Sequence, residues 1–578
     1  MFVKKKNKKF QILYDLYFQL VTVNILINMI QPCNQLVDTI ITGKSLGAEA
    51  LKVYALFLPM NSFLLAISCV LSKGAQVSTS HSIGKGDFKV SNCIVSTTLF
   101  LSAFCSLIFS LLCFIFSEKI AFILGSGSLT DQVSGYIRTY SIGIAPAILL
   151  DIFMCLMQLE GRKKLVIIGS LCVFAVNALG DLANIFIFKK GVAGMAFATS
   201  ASNITGCLLL GLFFIKRSSL FNISIKNFNG IYLRQILKNG FPSLAYYGSL
   251  VIRTTFMNIL ILNTFGKDVL VPMLVFTNFG TFADVLIGGH GDSVLVMSGI
   301  LYGEKDKKGA ASLLKISIIS GTIMMFAVGA LTAYFSMPLA KIFLEENDMA
   351  FAPQSARALV LAAFYLVPDI ISCIEKKYIQ GIGNGTYVAV TNFLYNVPIV
   401  CALTIVLINT IRTDGLFLSF TGCYLVAAIV NTIYIIFFSF KRFESEDYKI
   451  ISFTVNDLKE CINVSEHIHN YCRENGLDNK KSYLISLFTE EICKNIIIHG
   501  FDKKRNNSIV IKLLLLNDKT TLCIKDNCVL FDPVHYYETM KEVPEGTADG
   551  IGIKLLMKMS KNVKYTTSFK LNTLMIEV

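Results

Sequence analysis

The chain has 578 residues, 54% hydrophobic and only 16% charged, with a mean hydropathy of +0.60. Soluble globular proteins carry about 25% charged residues, so the composition excludes an ordinary soluble enzyme and puts most of the chain in lipid. The net charge of +14 fits lysine-rich loops against an anionic membrane surface and gives no support for a nucleic-acid partner.

The N-terminal MFVKKKNKKF is basic, and no A-x-A-type cleavage site follows the first apolar run, so it reads as a leader into a retained helix. Apolar runs of about 20 residues, each long enough to cross a bilayer, predict twelve spans. They fall near 16–41, 51–72, 91–117, 134–158, 164–188 and 193–215, then 241–263, 269–291, 312–336, 355–377, 386–409 and 415–439. An even count puts both termini on one side. The basic leader and KRFESEDYK at 441–449 put that side in the cytoplasm. The expected fold class is an α-helical polytopic membrane protein in two six-helix lobes, about 1–220 and 221–440. It is followed by a linker at 441–449 and a smaller α/β domain at 450–578. The 16 cysteines contain no C-x-x-C pair and predict neither a disulfide framework nor a zinc site.

The two groups of six spans echo each other. Leu46-Gly47-Ala48-Glu49 recurs as Phe265-Gly266-Lys267-Asp268, and Gly84-Lys85-Gly86-Asp87 as Gly303-Glu304-Lys305-Asp306, both at an offset of 219 residues. Tandem halves of this kind are a transporter signature, with the substrate path between them.

Ionisable residues inside spans are costly and mark function by default. Asp38 lies in the first span and Asp181 in the fifth, with Asn177 one turn before it and Thr199 in the sixth. Carboxylates with amide and hydroxyl oxygens can hold a proton or Na⁺. In the second half Asp369, Asp284, His290 and Arg253 are intramembrane. Arg253 is expected to pair with Asp284 or Asp369, because an unpaired buried Arg is costly. His290 is expected to be a packed, hydrogen-bonded side chain.

VDTIITGKSLGAEAL, the GKGD turn, QLEGRKK, and NALGD followed by GVAGMAFATS resemble the multidrug and toxic compound extrusion (MATE) family, in order and spacing over about residues 10–440. The resemblance implies a secondary antiporter of the bacterial inner membrane that exports small organic compounds in exchange for H⁺ or Na⁺. It implies a first-half cation site at Asp38, Asn177, Asp181 and Thr199, and an acidic residue of the second half at Asp369. The family's Glu in the seventh span is not evident; Arg253 stands in that span.

From 450 the pattern becomes that of a soluble domain. Strands are expected at ISFTV, IVIKLLLL, TTLCIKD, VKYTTS and TLMIEV, with helices near 457–474, 480–499 and 553–560. Glu491, Asn495 and His499 are spaced by four and should share a helix face. Asp526 ends a strand, and Gly550 and Gly552 open a helix, where backbone N–H groups can approach phosphate.

E-x-x-x-N-x-x-x-H-G-F, D-x-x-x-x-F-D-P and G-x-G resemble the GHKL nucleotide-binding fold (the Bergerat α/β sandwich of gyrase, heat-shock chaperone and histidine kinase), and within it the anti-sigma-factor serine kinases. The resemblance implies Glu491 as general base, Asn495 as ligand of Mg²⁺, and a nucleotide site for ATP that includes His499, Asp526, Gly550 and Gly552. The lid would lie between Asp532 and Asp549. It also implies a possible cytoplasmic protein partner of anti-anti-sigma type. Cys528 departs from the family, which has Gly there. Two alternatives to the exporter stay open from the sequence: a membrane-anchored serine kinase with a receptor-like membrane half, and a partner-switching tail with an inactive nucleotide pocket.

Overall fold

In the computed structural model the described residues are 2–217, 220–266, 268–344, 346–439, 443, 448–501, 507–516, 520–529, 532–540, 551–568 and 571–578. The chain divides into two compact units. The larger is Tyr17–Leu159 with Lys163–Arg442; the smaller is Phe443–Val578, grouped with Met1–Leu16 and Glu160–Arg162. Most of the linker expected at 441–449, and Lys267 of the repeat, lie outside the described residues.

The first half of the large unit is built of α1 Phe2–Leu46 from Tyr17 onward, α2 Ala48–Gly84, α3 Phe88–Ile115, α4 Ser117–Ile123, α5 Thr130–Ser141, α6 Ile144–Leu159, α7 Lys163–Ala183 and α8 Gly191–Arg217. The second half follows with α9 Ile231–Thr264, α10 Leu270–Gly303, α11 Lys307–Tyr334, α12 Ser336–Phe343, α13 Ala352–Gly381, α14 Gly385–Leu394, α15 Val400–Ile411 and α16 Thr413–Tyr434. Among the described residues, 11 helical stretches are long and apolar enough to cross a membrane, or 12 when a bent pair is counted as one span.

That bent pair covers the span expected near 134–158. α5 and α6 are bent by 45° across the break between them. A Cβ on Gly143, in the break, would stand 2.6 Å from the Cα of Ser200. The backbone of α8 therefore presses into the gap, and the Ser200 hydroxyl donates to the Thr139 and Tyr140 carbonyls at 3.0 and 3.2 Å. A π-turn at Asn184–Phe188 ends one further span, and a second at Tyr395–Ile399 interrupts another. The second contains Pro398, which has no N–H for the regular helical ladder.

The halves repeat at the predicted offset. Shifted by 219, α3 becomes α11 end to end, and α4 starts where α12 does. Asp87 and Asp306 cap α3 and α11 in the same way, accepting from the backbone N–H of Val90 at 3.1 Å and of Gly309 at 2.8 Å. Gly86 and its counterpart Lys305 both take left-handed φ, 72° and 56°. α2 and α10, equivalent helices of the two halves, cross where equivalent glycines meet. A Cβ on Gly84 would lie 2.2 Å from the Ile300 carbonyl oxygen, and one on Gly303 2.3 Å from that of His81. Only glycine permits this backbone approach.

In the small unit, β1 Tyr448–Val455, β2 Ile509–Leu516, β3 Thr520–Asp526, β4 Asn562–Ser568 and β5 Leu571–Glu577 form an antiparallel sheet in the order β1-β2-β3-β5-β4. Its helices are α17 Leu458–Glu474, α18 Asn479–Asn495, α19 Pro533–Met540 and α20 Ile551–Met559. Alternate strand residues Ile509, Ile511, Leu513, Leu522, Ile524, Leu574 and Ile576 are buried with Cys461, Ile468, Ile485, Phe488 and Ile492 of α17 and α18. This is a two-layer α/β sandwich with one core between sheet and helices. α19 falls in the segment expected to form a lid.

Candidate functional site

In the first half the structure brings together three of the four expected site residues. Asn177 donates from Nδ2 to Asp38 Oδ1 at 2.7 Å. Asp181, one turn along α7, is fully buried and sits within hydrogen-bond reach of the Asp38 carboxyl. Both Asp181 oxygens and Asn177 Oδ1 lack a hydrogen-bond donor among the described residues. Buried acceptors without donors are costly, so this arrangement calls for a proton or a hard cation. Thr199 makes no hydrogen bond to these side chains among the described residues; its hydroxyl donates to the Met195 carbonyl of its own helix at 3.3 Å. Beside the carboxyls stand Tyr54, Tyr136 and Tyr140. Phe57 packs on the last two, with ring centroids 4.8 and 4.6 Å apart.

Asp369 lies on α13 in the other half, 6% exposed. The expected ion pair between Arg253 and Asp284 or Asp369 does not form; none of the three is in an ion pair within 4.0 Å among the described residues. Arg253 instead donates from Nη1 to Asn396 Oδ1 at 3.1 Å and lies over the Phe420 ring at 5.1 Å. The amide and the ring face give the guanidinium enough partners to stay inside without a contacting carboxylate. His290 is packed as expected, its Nδ1 bonded to the Tyr17 hydroxyl at 2.5 Å.

Sequence reading passed over the membrane unit's one network of ion pairs among the described residues. Asp292 on α10 bonds Lys377 Nζ at 2.8 Å and Lys73 Nζ of α2 at 3.1 Å. Asp292 follows the predicted span 269–291 by one residue, and Lys73 follows 51–72 by one. The repeat was the available signal, because the two positions are related by the same offset of 219.

In the tail, Asn495 and Asp526 line one cavity with Ile492, Ile496, Gly500, Val529, Tyr565 and Asn572. Asp526, 4% exposed, accepts from the Cys528 backbone N–H at 2.9 Å and from Asn572 Nδ2 at 2.8 Å. Burial raises its carboxyl above the ordinary range, and these two donors oppose the shift. Burial and the neighbouring Asp526 push the Cys528 thiol up. Asn572 was missed by sequence reading; it reaches Asp526 through the β3–β5 register that sets the two opposite each other.

The helix face expected for Glu491, Asn495 and His499 is broken. α18 ends at Asn495, and Ile496–Gly500 form a π-turn. The wider turn shifts the register, and His499 is exposed and not among the residues lining the cavity. Glu491 stays on α18, half-buried. Gly552 lies in the first turn of α20; Gly550, and the expected lid beyond Met540, lie outside the described residues. The cavity holds about 20 Å³, roughly one water. Cys528 is not among the residues lining it but stands beside it, its Cβ being 3.3 Å from where a Cβ on Gly500 would stand.

A helical membrane unit of two repeated halves with buried carboxylates, followed by a small antiparallel sheet backed by helices, defines a transporter-like protein carrying a nucleotide-fold tail. The MatE family profile matches residues 24–182 and 245–406, and a histidine kinase-like ATPase domain matches 455–577. The chain belongs to the MatE family, with that ATPase-type domain at its C-terminal end. The multidrug export protein MepA of Staphylococcus aureus is 24% identical over 362 residues, 62% of this chain and 79% of that protein. The MepA protein of Staphylococcus saprophyticus is 22% identical over 390 residues, 67% and 84% of the two chains. Among solved structures, a MATE protein in complex with MaL6 superposes with a TM-score of 0.69 at 21% identity, covering 74% of this chain and 97% of its own. A MOP-superfamily transporter from Pyrococcus furiosus gives 0.70 at 20% identity, covering 76% and 99%.

Proposed function

We propose that the chain is a secondary antiporter of the bacterial plasma membrane that exports small organic compounds in exchange for H⁺ or Na⁺, both termini cytoplasmic. The observation that carries this reading is the Asp38–Asn177–Asp181 arrangement, in which both Asp181 oxygens and Asn177 Oδ1 are buried and lack a donor among the described residues. A proton shared by the carboxyls, or a Na⁺ held by their oxygens, satisfies those acceptors. Losing the ion on one side of the membrane and regaining it on the other would bias the two lobes between conformations. The tyrosines beside the carboxyls offer ring faces to a flat organic cation. Asp369 would supply the second-half carboxylate of the path. Asp181→Asn should stop gradient-driven efflux from proteoliposomes without loss of folded protein; unchanged efflux would remove the ion site.

The tail then regulates rather than drives. Asp526 would take the adenine amino group, Asn495 would bind Mg²⁺, Glu491 would act as base, and the start of α20 with Gly550 and Gly552 would receive phosphate. A partner-switching module with a closed nucleotide pocket is the second reading, favoured by one observation: the cavity at Asp526 is as small as a single water.

A further inference from the structure

The second lobe holds four charged side chains that do not pair. Arg253 comes from α9, Asp284 from α10, and Asp369 and Lys376 from α13, the last two seven residues apart and so on one helix face. Arg253 and Lys376 are the cations facing Asp284, and the same two face Asp369. None of the four is in an ion pair within 4.0 Å among the described residues. Tyr246, Tyr365 and Tyr424 stand around them.

The group is charge-balanced, two positive and two negative. Buried opposite charges normally close on each other, since an unpaired one is costly. Here Asp369 is 6% exposed and has no hydrogen-bond partner among the described residues. Asp284 is exposed, with charged and aromatic groups of α9, α13 and α16 facing it, so its carboxylate is open to a ligand beside them. Asn396, Phe420 and Tyr424 hold the Arg253 guanidinium in place and leave part of its donor fork free. An orientation fixed by an amide and a ring face is suited to a planar anion, which a guanidinium binds through two parallel hydrogen bonds.

We infer that this cluster is a subsite for a zwitterionic organic substrate. The ammonium or other cationic group lies between Asp284 and Asp369, the carboxylate lies on Arg253 with Lys376 behind it, and the tyrosines cover the apolar body. The inference rests on the exporter reading and deepens it by naming a substrate class. A purely cationic compound would leave Arg253 and Lys376 unanswered and be repelled by them.

The test is equilibrium binding to the full chain in lipid nanodiscs at neutral pH, followed by fluorescence anisotropy. The probes are rhodamine B, whose carboxylate makes it a zwitterion, and its ethyl ester, a cation of nearly the same shape. One charge-assisted hydrogen-bonded contact corresponds to roughly a tenfold or greater difference in affinity. The zwitterion should therefore bind at least about tenfold tighter than the ester. Arg253→Gln should erase the preference by weakening the zwitterion alone. Arg253→Lys should keep part of it, which separates recognition from misfolding. Asp369→Asn should weaken both dyes. Equal affinities in the unaltered chain, a preference that survives Arg253→Gln, or no saturable binding of either dye would overturn the subsite. No gradient is imposed, so binding stays readable if gradient-driven export fails, and export of other compounds stays readable if the subsite fails.

Discussion

Lys73 and Asp292 occupy equivalent positions of the two halves of the membrane unit, 219 residues apart, and form an ion pair with each other at 3.1 Å. Two equivalent residues touch only near the axis relating the halves. Gly84 and Gly303 meet along the same helix pair, and a Cβ on Gly299 would stand 2.0 Å from the hydroxyl of its counterpart Ser80. α2 and α10 thus clasp the lobes together along one line. Lys377 gives Asp292 a second cation at 2.8 Å.

The two ends of this pair should respond unequally to mutation. Asp292→Asn strands both lysines and should cost about 3–5 kcal/mol, the usual result of breaking a buried ion pair. Lys73→Met leaves Asp292 with Lys377 and should cost distinctly less. Thermal melting of the purified protein compares them; equal losses would contradict the shared-anion arrangement.

The glycine crossing should tolerate no side chain. Gly84→Val would drive a branched Cβ into the Ile300 carbonyl, 2.2 Å away, and backbone cannot yield as a flexible side chain can. A loss of about 1–3 kcal/mol or more is expected, with spin-label distances between α2 and α10 widened. A variant that melts and spaces like the parent would contradict the close approach.

In the tail, Cys528→Gly should open the space beside Gly500 and Asp526. Binding of a fluorescent ATP analogue to the full chain should tighten, by about tenfold if roughly 1.4 kcal/mol of crowding is relieved. Unchanged binding would mean that Cys528 does not crowd the pocket.

Asn572→Leu should act on the same pocket from the opposite side. It removes one of the two donors to Asp526 and leaves the buried carboxylate under-satisfied, at a cost of about 1–3 kcal/mol. Nucleotide affinity and tail stability should both fall. A fall in stability with unchanged affinity would separate Asn572 from the binding site.

The membrane architecture was legible because hydropathy and short Gly-plus-charge turns are local signals. Gly47, Asp87 and their counterparts were readable in sequence and do the same work in both halves. The break at Gly143 was not readable, because the approach of Ser200 that causes it comes from another helix. His499 was misplaced since spacing by four assumes an unbroken α-helix, and a π-turn begins right after Asn495. Asn572 could not be found locally, for only the pairing of β3 with β5 brings it to Asp526. Arg253 was given a carboxylate partner on charge alone, where an amide and an aromatic face hold it.

The most direct measurement is efflux of an organic dye from proteoliposomes under an imposed proton or sodium gradient, with and without ATP on the tail side. Efflux that follows the gradient and proceeds without ATP is the expected result, ATP altering at most its rate. Efflux that needs ATP and ignores both gradients would contradict the account.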